Sequence, residues 1–183
     1  MPIAFTVVVA ACSDAGSDAT TQGHLELLLD GQKVEYQTVL AEELRSAPGE
    51  PVVGAQVTAT RSGSDADGVD LQLPLLAPGA WEYDAASEEA STAAAYPRLD
   101  VRRGGHRYRC YPGIPSVERG TDPVRCQVEV TDGAERVYGS FSGLLAEVDA
   151  SSLEPLGATV EVTEGFFEAP QGPAARDPED TPH

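Results

Sequence analysis

The sequence contains no asparagine, a single lysine and only 12 basic residues in all, against 30 acidic ones. A formal net charge of −18 argues against a nucleic-acid-binding surface, which needs cations to displace the counterions of a phosphate backbone. It argues equally against a polybasic contact with an anionic membrane. No apolar run reaches the roughly 20 residues that a bilayer-spanning helix requires. Aromatic residues are sparse at 6%. The three cysteines include no C-x-x-C spacing, and the three histidines no neighbouring pair, so the usual redox and zinc patterns are missing.

Turn-forming residues, by contrast, are plentiful: 18 glycines and 14 prolines. In a chain of 183 residues that composition predicts one domain of short strands joined by many turns. Such a chain buries roughly 70% of its unfolded surface, enough for a hydrophobic core.

Met1–Ala11 (MPIAFTVVVAA) is uncharged and almost wholly apolar, too short to span a membrane but suited to the hydrophobic region of a secretion signal. It ends in Val9-Ala10-Ala11-Cys12, and Ser13 to Gly23 that follow are small and polar. This run resembles the lipobox of bacterial lipoproteins: an aliphatic residue, two small ones, then a cysteine. The resemblance implies that Cys12 receives diacylglycerol and palmitate and becomes the new N-terminus, with Met1–Ala11 removed as a signal peptide. Small neighbours let the signal peptidase close around the bond. No basic residue precedes the apolar run, a departure from the usual signal. Ser13 in the sorting position implies the outer membrane. Cys12–Gly23 then reads as a flexible tether with a reach on the order of 20 Å.

Cys110 and Cys126 stand in strand-like sequence, sixteen positions apart, around a segment rich in proline and glycine. An even pair in an oxidising compartment predicts a structural disulfide, worth about 3 kcal/mol in the chain-entropy model.

The remaining pattern is that of a mostly β fold over His24–Glu168, an antiparallel sandwich or open barrel of about nine short strands with at most one short helix. Asp30-Gly31 between two apolar runs predicts a hairpin, as does Thr131–Ala134. A short helical turn is expected at Ala41–Arg45. Ala85–Ala95 is the best helical stretch, ended by Pro97, and Ser62–Gly68 is read as a loop. Ala169–His183 is proline-rich and acidic, which predicts a disordered tail.

Tyr138 to Leu145 (YGSFSGLL), followed by Gly157 to Phe167 (GATVEVTEGFF), resembles a recurring ending of bacterial secreted and lipid-anchored proteins, a G-x-F-S-G-x-L strand paired with a terminal V-x-I-T-x-G-x-F strand. The resemblance implies an edge of a β-sandwich, with Phe141, Leu144, Val160, Val162 and Phe166 inward. It implies no activity.

Candidate chemistry is thin. Gly139 to Gly143 (GSFSG) mimics a nucleophile elbow, but Phe141 occupies the nucleophile position and a strand, not a helix, is expected after it. Ser142 is thus an ordinary strand residue. Asp65, Asp67 and Asp70 offer three carboxylates that suffice to hold calcium weakly. An EF-hand register on Gly68, however, puts Gly63 first and Pro74 last, where acidic ligands are required. A plain acidic loop is the simpler reading.

Eight basic residues cluster between Arg98 and Arg136. If the strands carrying the two cysteines pair, Arg107, Arg109 and Arg125 share one sheet face near Tyr108 and Tyr111. That face would bind an anionic glycan or headgroup; the alternative is that the arginines neutralise the protein's own acids. Together these features predict a lipid-anchored protein of the cell envelope, in contact with the membrane through its lipid. It would be a non-catalytic binding or scaffolding domain with a protein or glycan partner, no nucleic acid, and no cofactor beyond weakly held calcium. The alternative is an envelope hydrolase whose carboxylates cannot be singled out among 30.

Overall fold

The computed structural model describes residues 23–45, 52–61, 64–85, 96–110, 124–133 and 136–171. They form eleven strands. In chain order these are β1 (His24–Leu29), β2 (Gln32–Tyr36), β3 (Thr38–Arg45), β4 (Val52–Arg61), β5 (Ser64–Leu73) and β6 (Gly79–Asp84). β7 (Arg98–Arg103), β8 (His106–Cys110), β9 (Arg125–Gly133), β10 (Arg136–Val148) and β11 (Pro155–Pro170) follow.

Alternation drives each strand. Leu25, Leu27 and Leu29 of β1 are buried while His24, Glu26 and Leu28 stand between core and solvent. β5 turns Val69, Leu71 and Leu73 inward, and β7 turns Leu99 and Val101 inward. Period two thus sorts apolar residues to one face and charges to the other. The Asp30-Gly31 hairpin forms as its dipeptide predicts, with φ of 48° and 74° at the two central residues.

All strand pairs are antiparallel, in the order β2-β1-β11-β10-β8-β7-β5-β4-β3. The two ends of this path, β2 and β3, are consecutive in the chain and joined by Gln37 alone. A bridge between Ala41 and Gln171, parallel this time, brings β3 to the end of β11. The sheet therefore curls almost shut around its apolar face, an open barrel as the composition predicts. Between β10 and its neighbours the sheet branches. One edge of β10 carries β11 throughout; the other carries β9 from Val137 to Leu144 and β8 from Ala146 to Val148. β9 in turn carries β6.

The structure corrects several expectations. Ala41–Arg45 is the second half of β3, because Val39 and Ala41 alternate into the core and tertiary pairing with β4 overrides local helix propensity. β5 begins at Ser64, so the Ser62–Gly68 loop is mostly strand. Eleven strands replace nine, and no α-helix occurs among the described residues. Of the predicted helical stretch Ala85–Ala95 only Ala85 is described; residues 86–95 lie outside the described residues, as do residues 1–22 and 172–183. The disordered tail expected from Ala169 begins too early, because Ala169 is buried at the end of β11, Pro170 ends that strand and Gln171 bridges to Ala41.

The C-terminal pair lies at the centre of the sheet, not at an edge, since β10 is bonded to three strands. Its inward set also differs. Phe141, Val160 and Val162 are buried, but Leu144 is half-buried and Phe166 is 39% exposed, while Leu145 and Phe167 are fully buried. In β10 simple alternation from Phe141 selects Leu145. In β11 an extra residue resets the phase: pairing shifts between Leu28↔Thr163 and Glu26↔Phe166, and Glu164 sits at φ 51°. Beside this bulge Gly165 lies against Phe141, where an added methyl would meet the ring at 2.7 Å.

Candidate functional site

Charged and polar side chains gather on the outer face of β4, β5, β7 and β8, and in a cleft beside Gln37. On the outer face, registers place Gln56, Gln72 and Arg98 in one row and Asp70, Asp100 and Arg109 in the next. Asp100 is only 7% exposed despite facing outward, because two arginines cover it. Arg107 donates to both of its oxygens, from Nη2 at 2.8 Å and Nε at 3.0 and 3.2 Å. Arg109 Nε lies 2.7 Å from the same Oδ2. Asp70 accepts from Arg102 Nη2 at 2.8 Å and from Gln56 Nε2 at 3.2 Å. The concavity in this face, lined by Arg98, Arg107, Arg109 and the two aspartates, is about 120 Å³.

The predicted trio of arginines does not form. Arg107 and Arg109 share a face, as residues two apart on a strand must, but Arg125 stands on β9 opposite Leu144 of β10 and Asp84 of β6. The reason is the branch: β8 and β9 occupy successive stretches of one edge of β10 and do not pair with each other. Tyr108, odd in the alternation, packs against the core instead of the arginine face. Tyr111 lies outside the described residues. The guanidiniums of Arg107 and Arg109 are spent on Asp100, which favours the neutralising role over ligand binding.

Nor do the three aspartates converge. Asp70 belongs to the outer face; Asp67, three positions earlier, lies on the other side of β5, where its Oδ1 accepts from the Gly104 amide at 2.9 Å and its Oδ2 lies 3.8 Å from Arg61. The side chain of Asp65 is outside the described residues. Among the described residues no three histidine, cysteine, aspartate or glutamate side chains cluster as metal ligands do.

The histidines are apart: His24 lies 3.4 Å from Glu26 and His106 2.6 Å from Glu147. Ser142 sits in β10 opposite Gln127, as a plain strand residue.

Cys110 closes β8 and Cys126 is the second residue of β9, and both are buried free thiols in the structure. Cys126 Sγ lies 3.7 Å from the Cys110 carbonyl oxygen. Burial, reinforced by the neighbouring Cys126 thiol, pushes the Cys110 thiol far above its ordinary range, so it is neutral and unreactive. The pair meets where β10 passes from β9 to β8.

The second place was not legible in the sequence. A cleft of about 540 Å³ lies along β2, where its edge faces the ends of β4 and β7. β2 pairs with β1 alone, so its other edge borders the cleft. Arg61, the last residue of β4, and Arg103, the last of β7, enter from one side, and Lys33, Tyr36, Gln37 and Thr38 line the other. Lys33 is engaged by Glu35 at 2.7 Å and Glu26 at 2.9 Å, bonds that hold it charged and hold Glu26 below the usual carboxylate range. Burial raises the Tyr36 phenol above its ordinary range; nearby Asp67 adds to this, and Arg103, Arg61 and Arg102 oppose it. Only the pairing of distant strands brings residues 33–38, 61 and 103 together. The nearest sequence signal was a basic residue ending each of two strands.

No protein-family model, curated protein or solved structure matches this chain.

Proposed function

We propose that this chain is a lipid-anchored protein of the cell envelope, held by an acylated Cys12, whose β domain binds or scaffolds and does not catalyse. The anchor rests on the Val9-Ala10-Ala11-Cys12 run after an uncharged apolar leader. The non-catalytic role rests on one observation above all: on the outer face the carboxylates are neutralised by arginines, Asp100 between Arg107 and Arg109 and Asp70 by Arg102. A general acid or base needs a carboxyl group free to exchange a proton with a substrate; these carboxylates are instead held in structural ion pairs. Outside the cytosol the adjacent Cys110 and Cys126 thiols would be oxidised to a disulfide.

Fractionation of cells expressing the full chain tests the anchor. The protein should sediment with membranes and its N-terminal peptide should carry the mass of a diacylglyceryl-modified Cys12, while Cys12→Ser should release it. Recovery of an unprocessed chain with Met1 and a free Cys12 thiol would overturn the reading.

A further inference from the structure

The arginines differ in how they are used. Arg45, Arg102, Arg107, Arg109 and Arg136 each lie within 3 Å of a carboxylate oxygen: 2.9, 2.8, 2.8, 2.7 and 2.7 Å in turn. In a chain with 30 acidic residues, that is the expected fate of a guanidinium. Arg61 is the exception by distance, 3.8 Å from Asp67. Arg103 forms no ion pair among the described residues, nor do Arg98 and Arg125. Arg98 reaches Gln72 on the outer face, and Arg125 stands beside Glu82 and Glu161. Among the described residues, only Arg61 and Arg103 bring such loosely held guanidiniums together in one cleft, and alternation explains why. Arg102 points outward to Asp70, so its neighbour Arg103 must point to the other side of β7, into the cleft.

The rest of the lining suits hydroxyl groups. Tyr36, Gln37 and Thr38 supply a phenol, an amide and an alcohol, while Glu35, on the opposite face of β2 from Tyr36, is taken up by Lys33. Asp67, which also borders this end of the fold, is held by the Gly104 amide as well as by Arg61. A volume of about 540 Å³ falls within the range of small-molecule sites.

We propose that the cleft beside Gln37 binds a small sugar acid or sugar phosphate, whose anionic group is held by Arg61 and Arg103 and whose hydroxyls meet Tyr36, Gln37 and Thr38. Guanidiniums grip carboxylate and phosphate by the same planar fork, so the anion is defined by shared chemistry. This reading takes up the binding role proposed above and gives it a site and a ligand class. It does not depend on the anchor, so titration can fail while fractionation succeeds, and the reverse.

The test is calorimetric titration of the full chain with glucuronate, glucose 6-phosphate and glucose at low salt. Saturable binding of at least one of the two acids, and none of glucose, is the expected result; whichever acid binds identifies carboxylate or phosphate. The Arg61→Ala/Arg103→Ala double variant should weaken binding by about tenfold or more, as loss of charged hydrogen bonds does. Arg103→Lys, which keeps the charge and loses the fork, should fall between. Arg98→Ala, on the other face of β7, should bind as the wild type does. No saturable binding of either acid up to about 10 mM, equal binding of glucose, or full affinity in a folded double variant would each overturn the proposal.

Discussion

Asp70 and Asp100 face each other across the β5–β7 pair, two carboxylates in direct register. Like charges so placed repel. Here Arg102 holds one and Arg107 with Arg109 the other, so the repulsion becomes an alternating charge network. Removing a single member leaves its partners uncompensated. Asp100→Ala should therefore cost about 3 kcal/mol, the scale for breaking a largely buried pair, whereas Arg98→Ala should cost under about 0.5 kcal/mol. Urea denaturation of the two variants measures the difference; equal midpoints would show that the network contributes nothing.

The bulge at Glu164 makes a second, sharper claim about β11. Phe167 is wholly buried and its neighbour Phe166 is not. Phe167→Ala should cost about 3–5 kcal/mol and Phe166→Ala roughly 1 kcal/mol or less. A reversed order would mean that β11 keeps uninterrupted alternation and that Glu164 is not an inserted residue.

For the cysteines the expected behaviour is two-sided. In the reduced folded protein, Cys110 and Cys126 should resist alkylation near neutral pH, because burial keeps the Cys110 thiol protonated and both sulfurs are covered. In urea both should react quickly. Mild oxidation should join them without unfolding and raise stability by about 3 kcal/mol, the chain-entropy value for a loop of about fifteen residues. Mass spectrometry after alkylation, with and without reductant, reads both outcomes. Rapid labelling of the folded protein would contradict the packing described.

A pH dependence follows from Asp149 in the turn between β10 and β11. Its Oδ1 accepts from the Ser151 hydroxyl at 2.6 Å and from the Ser152 and Ser151 amides at 2.8 and 2.9 Å. The Ser151 hydroxyl first, then these amides, hold the carboxyl well below its usual range. A group whose affinity for protons falls on folding stabilises the fold above its unfolded pKa, and that stability is lost as pH drops through the folded value. The stability gap between wild type and Asp149→Ala should accordingly be present at neutral pH and shrink below about pH 4. A gap that widens in acid would reverse the assigned sign.

Local features of the sequence proved readable and long-range ones did not. Asp30-Gly31 made its hairpin because the dipeptide alone selects the turn. Leu25, Leu27 and Leu29 pointed inward because alternation alone sorts faces. The barrel-like class followed from many short strands between turn residues. What failed depended on pairing. Ala41–Arg45 became strand only because β4 lies beside it. Arg125 left Arg107 and Arg109 because β10 accepts β8 and β9 in succession. Phe166 and Phe167 exchanged faces through one bulged residue, and nothing in the composition of that stretch announces such an insertion. The cleft was hidden for the same reason, since its walls meet only when β2 is set against the ends of β4 and β7.

The position of β11 carries a consequence for how the chain matures. The last strand to be synthesised lies between the first strand and β10, and the Glu161 amide bonds Asp30 across 131 positions. Until that strand emerges, the leading hairpin has no neighbour and β10 has a bare flank. Loops this long are slow to close. Closure of the sheet therefore waits on β11, the one strand that joins the leading hairpin to β10.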